Sequence, residues 1–287
     1  MTARLLDGKL LAESVKQNLK KEVDALRQKT GLVPRLANIL VGDDAAAKTY
    51  ANSQKKVAQD IGIDYGLINL PEDISQKKLI ESIEELNRDP GTHGIMIYQP
   101  LPAHVDYRLV AECVDTAKDI EGMKPANLGK MLLGGAKIIP ATPAAVMEHI
   151  KSTGVKLRGK EAVIVGRSEI VGKPLILLLL EQSATVTVCH TGTVEAGLLT
   201  EHIARADILI VAVGKAGLVK GEWIKENAVV IDVGINRIGK TIVGDVDFES
   251  ASQKASYITP VPGGVGPLTV VMLMKNTIEA FKLQVKG

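Results

Sequence analysis

The stretch Ala162-Val-Ile-Val-Gly-Arg-Ser-Glu-Ile-Val-Gly-Lys-Pro174 decides the fold. Its first four residues are small or branched and apolar, and they read as a buried strand. Gly166 opens a turn, and an apolar helix follows over Val171–Gln182. A strand that feeds a helix through a glycine turn aims backbone N–H groups and a helix dipole at one place, which suits a pyrophosphate. The spacing is not Gly-x-Gly-x-x-Gly. Nor is it a Walker A loop, because Gly172-Lys173 is followed by Pro174 instead of Ser or Thr. On spacing alone, an ordinary tight turn explains the segment equally well.

The pattern repeats on both sides. Downstream, Ala184–Cys189, Ile208–Val213 and Ala228–Val233 read as strands, and Thr259–Pro267 as a long glycine-proline loop before a helix to about Lys282. Upstream, Thr142-Pro143 caps a helix to about Thr153. Leu11, Val15, Leu19, Val23 and Leu26 step by three or four residues, as on one face of a helix. Leu36–Val41 reads as a strand, Ala45–Ile61 as a helix, Ile63–Leu70 as a strand, Ser75–Asn87 as a serine-capped helix and Gly94–Tyr98 as a strand. Two prolines stiffen the loop Gln99–His104. Strands alternating with helices predict an α/β protein with mostly parallel sheets.

The 287 residues suit one large or two ordinary domains. Hydrophobic residues make up 46% and charged residues 24%, so a packed core is expected and a disordered chain is not. A net charge of +2 and only 3% aromatic residues argue against nucleic acid as a partner. Two cysteines and five scattered histidines give no metal site and no disulfide framework. The apolar runs are too short to span a bilayer, and the first residues carry no apolar signal core. The expected setting is cytoplasmic, away from membranes.

The end of the second strand selects the nucleotide. An NAD site places an acid there to hold the ribose 2′-hydroxyl. Here the strand runs Val186-Thr-Val-Cys-His-Thr191, with no acid. Arg167 and Thr191 can receive a 2′-phosphate instead, so NADP is the expected cofactor and NAD the alternative.

Six segments occur in order: Val41-Gly42 with Tyr50, Lys118-Asp-Ile-Glu-Gly122, Gly166–Pro174, Val230-Ile-Asp-Val-Gly-Ile-Asn236, Val243-Gly-Asp245 and Pro260-Val-Pro-Gly-Gly-Val-Gly-Pro267. Together they make the chain resemble the methylenetetrahydrofolate dehydrogenase/methenyltetrahydrofolate cyclohydrolase family. The resemblance implies an N-terminal folate and catalytic domain over 1–122, completed by about 270–287. It implies a Rossmann-like NAD(P)-binding domain over 123–269, a cleft between the two, and a homodimer. It also implies oxidation of 5,10-methylenetetrahydrofolate by hydride transfer. Tyr50, Gln54, Tyr98 and Glu121 fall at the catalytic positions. Substrate contacts are implied for Tyr50, Tyr98, Gln99, Pro100, Glu121, Pro262, Gly263, Gly264, Val265 and Gly266. Cofactor contacts are implied for Gly166, Arg167, Ser168, Ile170, His190, Thr191 and Ile235. Asp232 and Asn236 are equally well explained by turn chemistry.

Three positions depart from that family. Its tyrosine motif is Tyr-x-x-x-Lys, and Gln54 stands where the lysine belongs. The neighbouring Lys55 is turned about 100° around the helix. The motif Gln-Leu-Pro-Leu-Pro has become Tyr98-Gln-Pro-Leu-Pro102, so Tyr98 takes the glutamine position. The acid of Asp-Gly has become Glu121. The expectation from these changes is a dehydrogenase with weak or absent cyclohydrolase activity. The alternatives are the usual bifunctional enzyme, a catalytically silent paralogue that binds folate or nucleotide, and a dehydrogenase for a related pterin.

Overall fold

The computed structural model describes residues 2–285, in two compact units. The chain enters through a two-residue strand, β1 (Arg4–Leu5), and the long helix α1 (Gly8–Thr30). From Glu13 to Ala141, and again from Val270 onward, the chain belongs to a three-stranded unit. Its elements are β2 (Arg35–Val41), α2 (Ala45–Ile61), β3 (Asp64–Leu70), α3 (Gln76–Arg88), β4 (Gly94–Ile97), α4 (Tyr107–Glu112) and α5 (Pro125–Leu133). The strands are parallel in the order β3-β2-β4. Six of the seven residues of the central strand β2 are buried, which explains why all of these except Asn38 are apolar. Ile39, Val41, Ile95 and Ile97 pack with Leu79 and Ile83 of α3 and Val110 of α4.

Local chemistry fixes the helix ends of this unit. Asp44 caps α2 by accepting from Ala47 N at 2.7 Å, and Gly62 ends it in a left-handed conformation. Ser75 caps α3. Asp106 caps α4 by accepting from Arg108 N and Leu109 N. The buried Lys118 places Nζ 2.7–2.8 Å from the carbonyls of Leu86, Asn87 and Asp89, so its ammonium ties down the end of α3.

The second unit runs up to Ala12 and from Thr142 to Thr269. It holds α6 (Ala141–Ser152), β5 (Glu161–Val165), α7 (Gly172–Glu181), β6 (Thr185–Cys189), α8 (Thr191–Glu195), α9 (Leu199–Ala204), β7 (Ile208–Val211) and β8 (Val229–Asp232). The hairpin β9 (Asn236–Ile238) and β10 (Thr241–Val243) follows, then α10 (Phe248–Ser252), β11 (Tyr257–Ile258) and the first residues of α11 (Val265–Gln284). Six strands form a parallel sheet in the order β1-β11-β8-β7-β5-β6. Its core joins Val163, Val165, Leu209, Val211, Val230 and Ile258. The chain winds from β5 outward to β6, then crosses to the other side of β5 to make β7. That reversal is the switch point at which parallel sheets leave a crevice for a nucleotide.

Three expectations about boundaries change. The first twelve residues were expected in the N-terminal domain, but they group with the six-stranded unit, because β1 pairs with β11 (Arg4 with Tyr257, Leu5 with Ile258). Residues 123–141 were expected in the nucleotide domain and instead group with the three-stranded unit. Asn127 Nδ2 donates to Asp119 Oδ2 at 2.9 Å, and Asn276 Nδ2 donates to the carbonyls of Ile120 and Ile139. The loop expected to reach Pro267 is shorter, since α11 begins at Val265. Proline is tolerated there because the first-turn N–H groups of a helix have no intrahelical acceptor. Among the described residues, no helix is long and apolar enough to cross a membrane.

Candidate active site

In the three-stranded unit the candidate residues come together. Tyr50 and Gln54 lie one turn apart on α2, and Tyr98 directly follows β4. The Tyr98 hydroxyl donates to Gln54 Oε1 at 2.8 Å, and Gln54 Nε2 donates to Met96 Sδ at 3.4 Å. The Tyr50 ring stands edge-on to Tyr98, with centroids 6.1 Å apart and planes at 85°. Gln54 is buried, whereas Lys55 is exposed and turned away, as the helix period requires.

Two further tyrosines complete the cluster. The Tyr65 hydroxyl lies 2.9 Å from that of Tyr98. Tyr107, at the start of α4, lies beside Gln99 and Glu121. Neither was singled out in the sequence. A lone tyrosine in a strand or after a helix cap carries no local signal, although four of the chain's five tyrosines gather here.

Ionisation separates these groups sharply. Burial holds the Tyr50 hydroxyl above its ordinary range, against the hydrogen bond from Gln54. Burial, then the contact with Tyr65, drives Tyr98 far higher. Burial and the charge of Glu121 raise Tyr107 to about 12. All three are neutral hydroxyls at physiological pH. Glu121 behaves differently. Burial and the neighbouring charge of Asp119 lift its carboxyl to about 7, against the hydrogen bond from Tyr107. Glu121 is thus poised to exchange a proton near neutrality. Asp119 is structural, accepting from Gly122 N, Lys124 N and Asn127 Nδ2.

The remaining candidates belong to the six-stranded unit. Gly166 has φ +129°, and a Cβ there would lie 2.3 Å from the Ala212 carbonyl oxygen. A Cβ on Gly172 would lie 2.4 Å from the Gly166 carbonyl oxygen. The turn therefore brings bare backbone to the switch point, a cradle of the kind that a nucleotide pyrophosphate needs. Ser168 spends its hydroxyl inside the turn, accepting from Val171 N and Gly172 N. Arg167, Ile170 and Thr191 are exposed around it. His190 caps α8 through Nδ1, which accepts from Gly192 N at 3.2 Å. Ile235 follows β8 and is 70% exposed. Pro262 and Gly263 precede α11, Gly264 abuts Thr259 and Pro260, and Val265 and Gly266 open the helix. Asp232 and Asn236 do perform turn chemistry: Asp232 accepts from Gly234 N, and Asn236 Nδ2 donates to Asp245.

Both units match known family models. Residues 6–121 match the catalytic domain of tetrahydrofolate dehydrogenase/cyclohydrolase, and residues 140–285 match its NAD(P)-binding domain. The chain belongs to the tetrahydrofolate dehydrogenase/cyclohydrolase family. Among members of this family, it is 51% identical to the bifunctional protein FolD of Acetivibrio thermocellus, over 100% of this chain and 99% of the relative. The bifunctional FolD of Campylobacter jejuni superposes with a TM-score of 0.94 at 44% identity, covering 99% of this chain and all of the other. The FolD of Trypanosoma brucei, solved with NADP and an inhibitor, superposes with a TM-score of 0.93 at 37% identity, covering all of both chains. These relatives favour the reading with two activities over the expected dehydrogenase with weak hydrolysis.

Proposed function

We propose that this family member oxidises 5,10-methylenetetrahydrofolate to 5,10-methenyltetrahydrofolate. The observation that carries the reading is the cluster of Tyr50, Gln54, Tyr98 and Glu121 at one end of a parallel sheet, in a chain that also carries the bare-backbone nucleotide turn. When bound, NAD(P)+ accepts the hydride. The methylene carbon lies between two nitrogens that share the positive charge left behind, so this step needs positioning and no strong base. Glu121 accepts from the pterin ring N–H groups, and the tyrosine hydroxyls and rings orient the flat ring and exclude water. Formation of reduced nicotinamide from 5,10-methylenetetrahydrofolate by the purified protein tests the reading. No product with either NADP+ or NAD+ overturns it.

For the second step, hydrolysis of the methenyl ring, the relatives' names support a bifunctional enzyme. The Glu121 carboxyl near 7 gives that reading a physical basis, since a group titrating at working pH can give and take the required proton. One observation favours the second reading, a dehydrogenase with little hydrolysis. The lysine position holds the buried Gln54, which does not titrate in water, with its Oε1 occupied by Tyr98. Loss of a positioned acid or base costs about 10²–10⁴-fold. Following methenyl disappearance alongside the dehydrogenase assay separates the two.

NADP as the preferred cofactor is part of the same proposal. It is supported by the missing acid after β6 and by the exposed Arg167 beside the turn. A homodimer in the cytoplasm is likewise proposed from the family resemblance, and light scattering tests the assembly.

A further inference from the structure

Apart from Ile235, two sequence motifs have no part in the reaction so far, Val230–Asn236 and Val243–Asp245. In the structure they interlock through two buried carboxylates. Asp232 Oδ1 accepts from Gly234 N at 2.9 Å and Asp245 N at 3.0 Å, and its Oδ2 accepts from Val246 N at 2.9 Å. Asp245 Oδ2 accepts from Val213 N at 2.7 Å and Gly214 N at 2.9 Å. Its Oδ1 accepts from Lys215 N and Asn236 Nδ2, both at 2.8 Å. Three consecutive amides thus wrap one carboxylate, as in a nest built for an anion. The glycines are matched to the acids. A Cβ on Gly234 would lie 2.2 Å from Asp245 Cγ, and one on Gly244 would lie 1.9 Å from Asp232 Oδ2.

What this lock holds is the edge of the sheet beside the switch point. The strands β8, β7 and β5 are neighbours, and each is followed by a loop with an exposed aliphatic side chain: Ile235, Val213 and Ile170. Gly166, after β5, is in backbone contact with Ala212, and Val213–Lys215 comes next. We infer that Asp245 is a positioning residue for the far wall of the nucleotide crevice. It fixes Val213–Lys215 and Asn236 together, and so sets where Val213 and Ile235 meet the apolar face of a bound nicotinamide. The inference rests on the NAD(P) reading above. An aspartate is required because both of its oxygens accept hydrogen bonds here. An asparagine would turn an NH2 group toward backbone donors and leave them unpaired.

The test is direct titration of the full-length protein with NADPH, followed by cofactor fluorescence, with the folate KM measured at saturating cofactor. Asp245→Asn should raise the NADPH dissociation constant at least tenfold and change the folate KM less than twofold. Asn236→Ala removes one donor to Asp245 and should weaken NADPH several-fold in the same selective way. It decides the matter if Asp245→Asn fails to fold. Unchanged NADPH affinity in the variants overturns the inference, as does a parallel loss of cofactor and folate binding. If the unmodified protein binds neither NADPH nor NADH, the cofactor reading itself falls, and the inference with it.

Discussion

Glu121 shows what burying a carboxyl costs in stability. Its carboxyl lies at about 7 in the folded protein, against an ordinary 4.5. The folded state therefore resists its ionisation. This penalty is absent below about pH 4.5, grows as pH rises, and is complete above about 7, where it amounts to something on the order of 3 kcal/mol. Glu121→Gln carries no such penalty. The variant should melt several degrees above the unmodified protein at pH 8 and at nearly the same temperature at pH 5; a lower melting temperature at pH 8 would contradict the sign. The same variant should weaken folate binding about tenfold or more, because a charged acceptor bond is worth roughly 1.5–3 kcal/mol, and should leave NADPH affinity intact. At the other site, Arg167→Ala should weaken NADP+ far more than NAD+, measured as separate dissociation constants. Equal losses would show that Arg167 does not read the 2′-phosphate.

At the scale of elements, the periodic segments were legible and the two-residue ones were not. Helix α2 and the strands β2, β5 and β6 announce themselves because burial and capping leave a pattern over five or more residues. Strands β1 and β11 have two residues each, too few for a period, and α5 sits in a stretch rich in glycine and lysine. The candidate cluster was half legible. The family resemblance marked Tyr50, Gln54, Tyr98 and Glu121, whereas Tyr65 and Tyr107 come from elements whose neighbourhood only the fold defines. Gln54 and Tyr98, two of the positions that depart from the family motifs, are joined to each other by a hydrogen bond. Gln54→Lys alone would bury an ammonium beside a tyrosine hydroxyl and should lower the melting temperature. Combined with Tyr98→Gln it should raise methenyl hydrolysis at least tenfold over the single change. No gain in the double variant would remove position 54 from the hydrolytic step. On the nucleotide turn, Gly172→Ala forces a methyl group against the Gly166 carbonyl. It should abolish NADPH binding while sparing folate binding to the other unit.

For the whole molecule, sequence motifs located both units but not the thread between them. The expected boundaries followed composition and motif order, whereas the chain assigns its first twelve residues by strand pairing and residues 123–141 by side-chain amides. Two helices, α1 and α11, each begin in the six-stranded unit and end in the three-stranded one. Gly8, at the start of α1, donates its N–H to the Gly263 carbonyl at 2.9 Å just before α11 begins.

The pairing of β1 with β11 has a consequence for how the protein is made. Arg4 is made long before its partner Tyr257 is added to the chain. At about 5–20 residues per second the wait is roughly 13–50 s. The three-stranded unit waits too, because it is completed by the chain from Val270 onward. Neither half can close as a finished body while the polypeptide is still tethered, so early-emerging strands stay exposed during elongation. A ribosome-bound nascent chain halted at residue 250 should therefore be cut readily by protease in both halves. The same chain, released at full length, should resist. Protection of the first 140 residues in the halted complex would show that the amino-terminal half matures before its carboxy-terminal helix arrives.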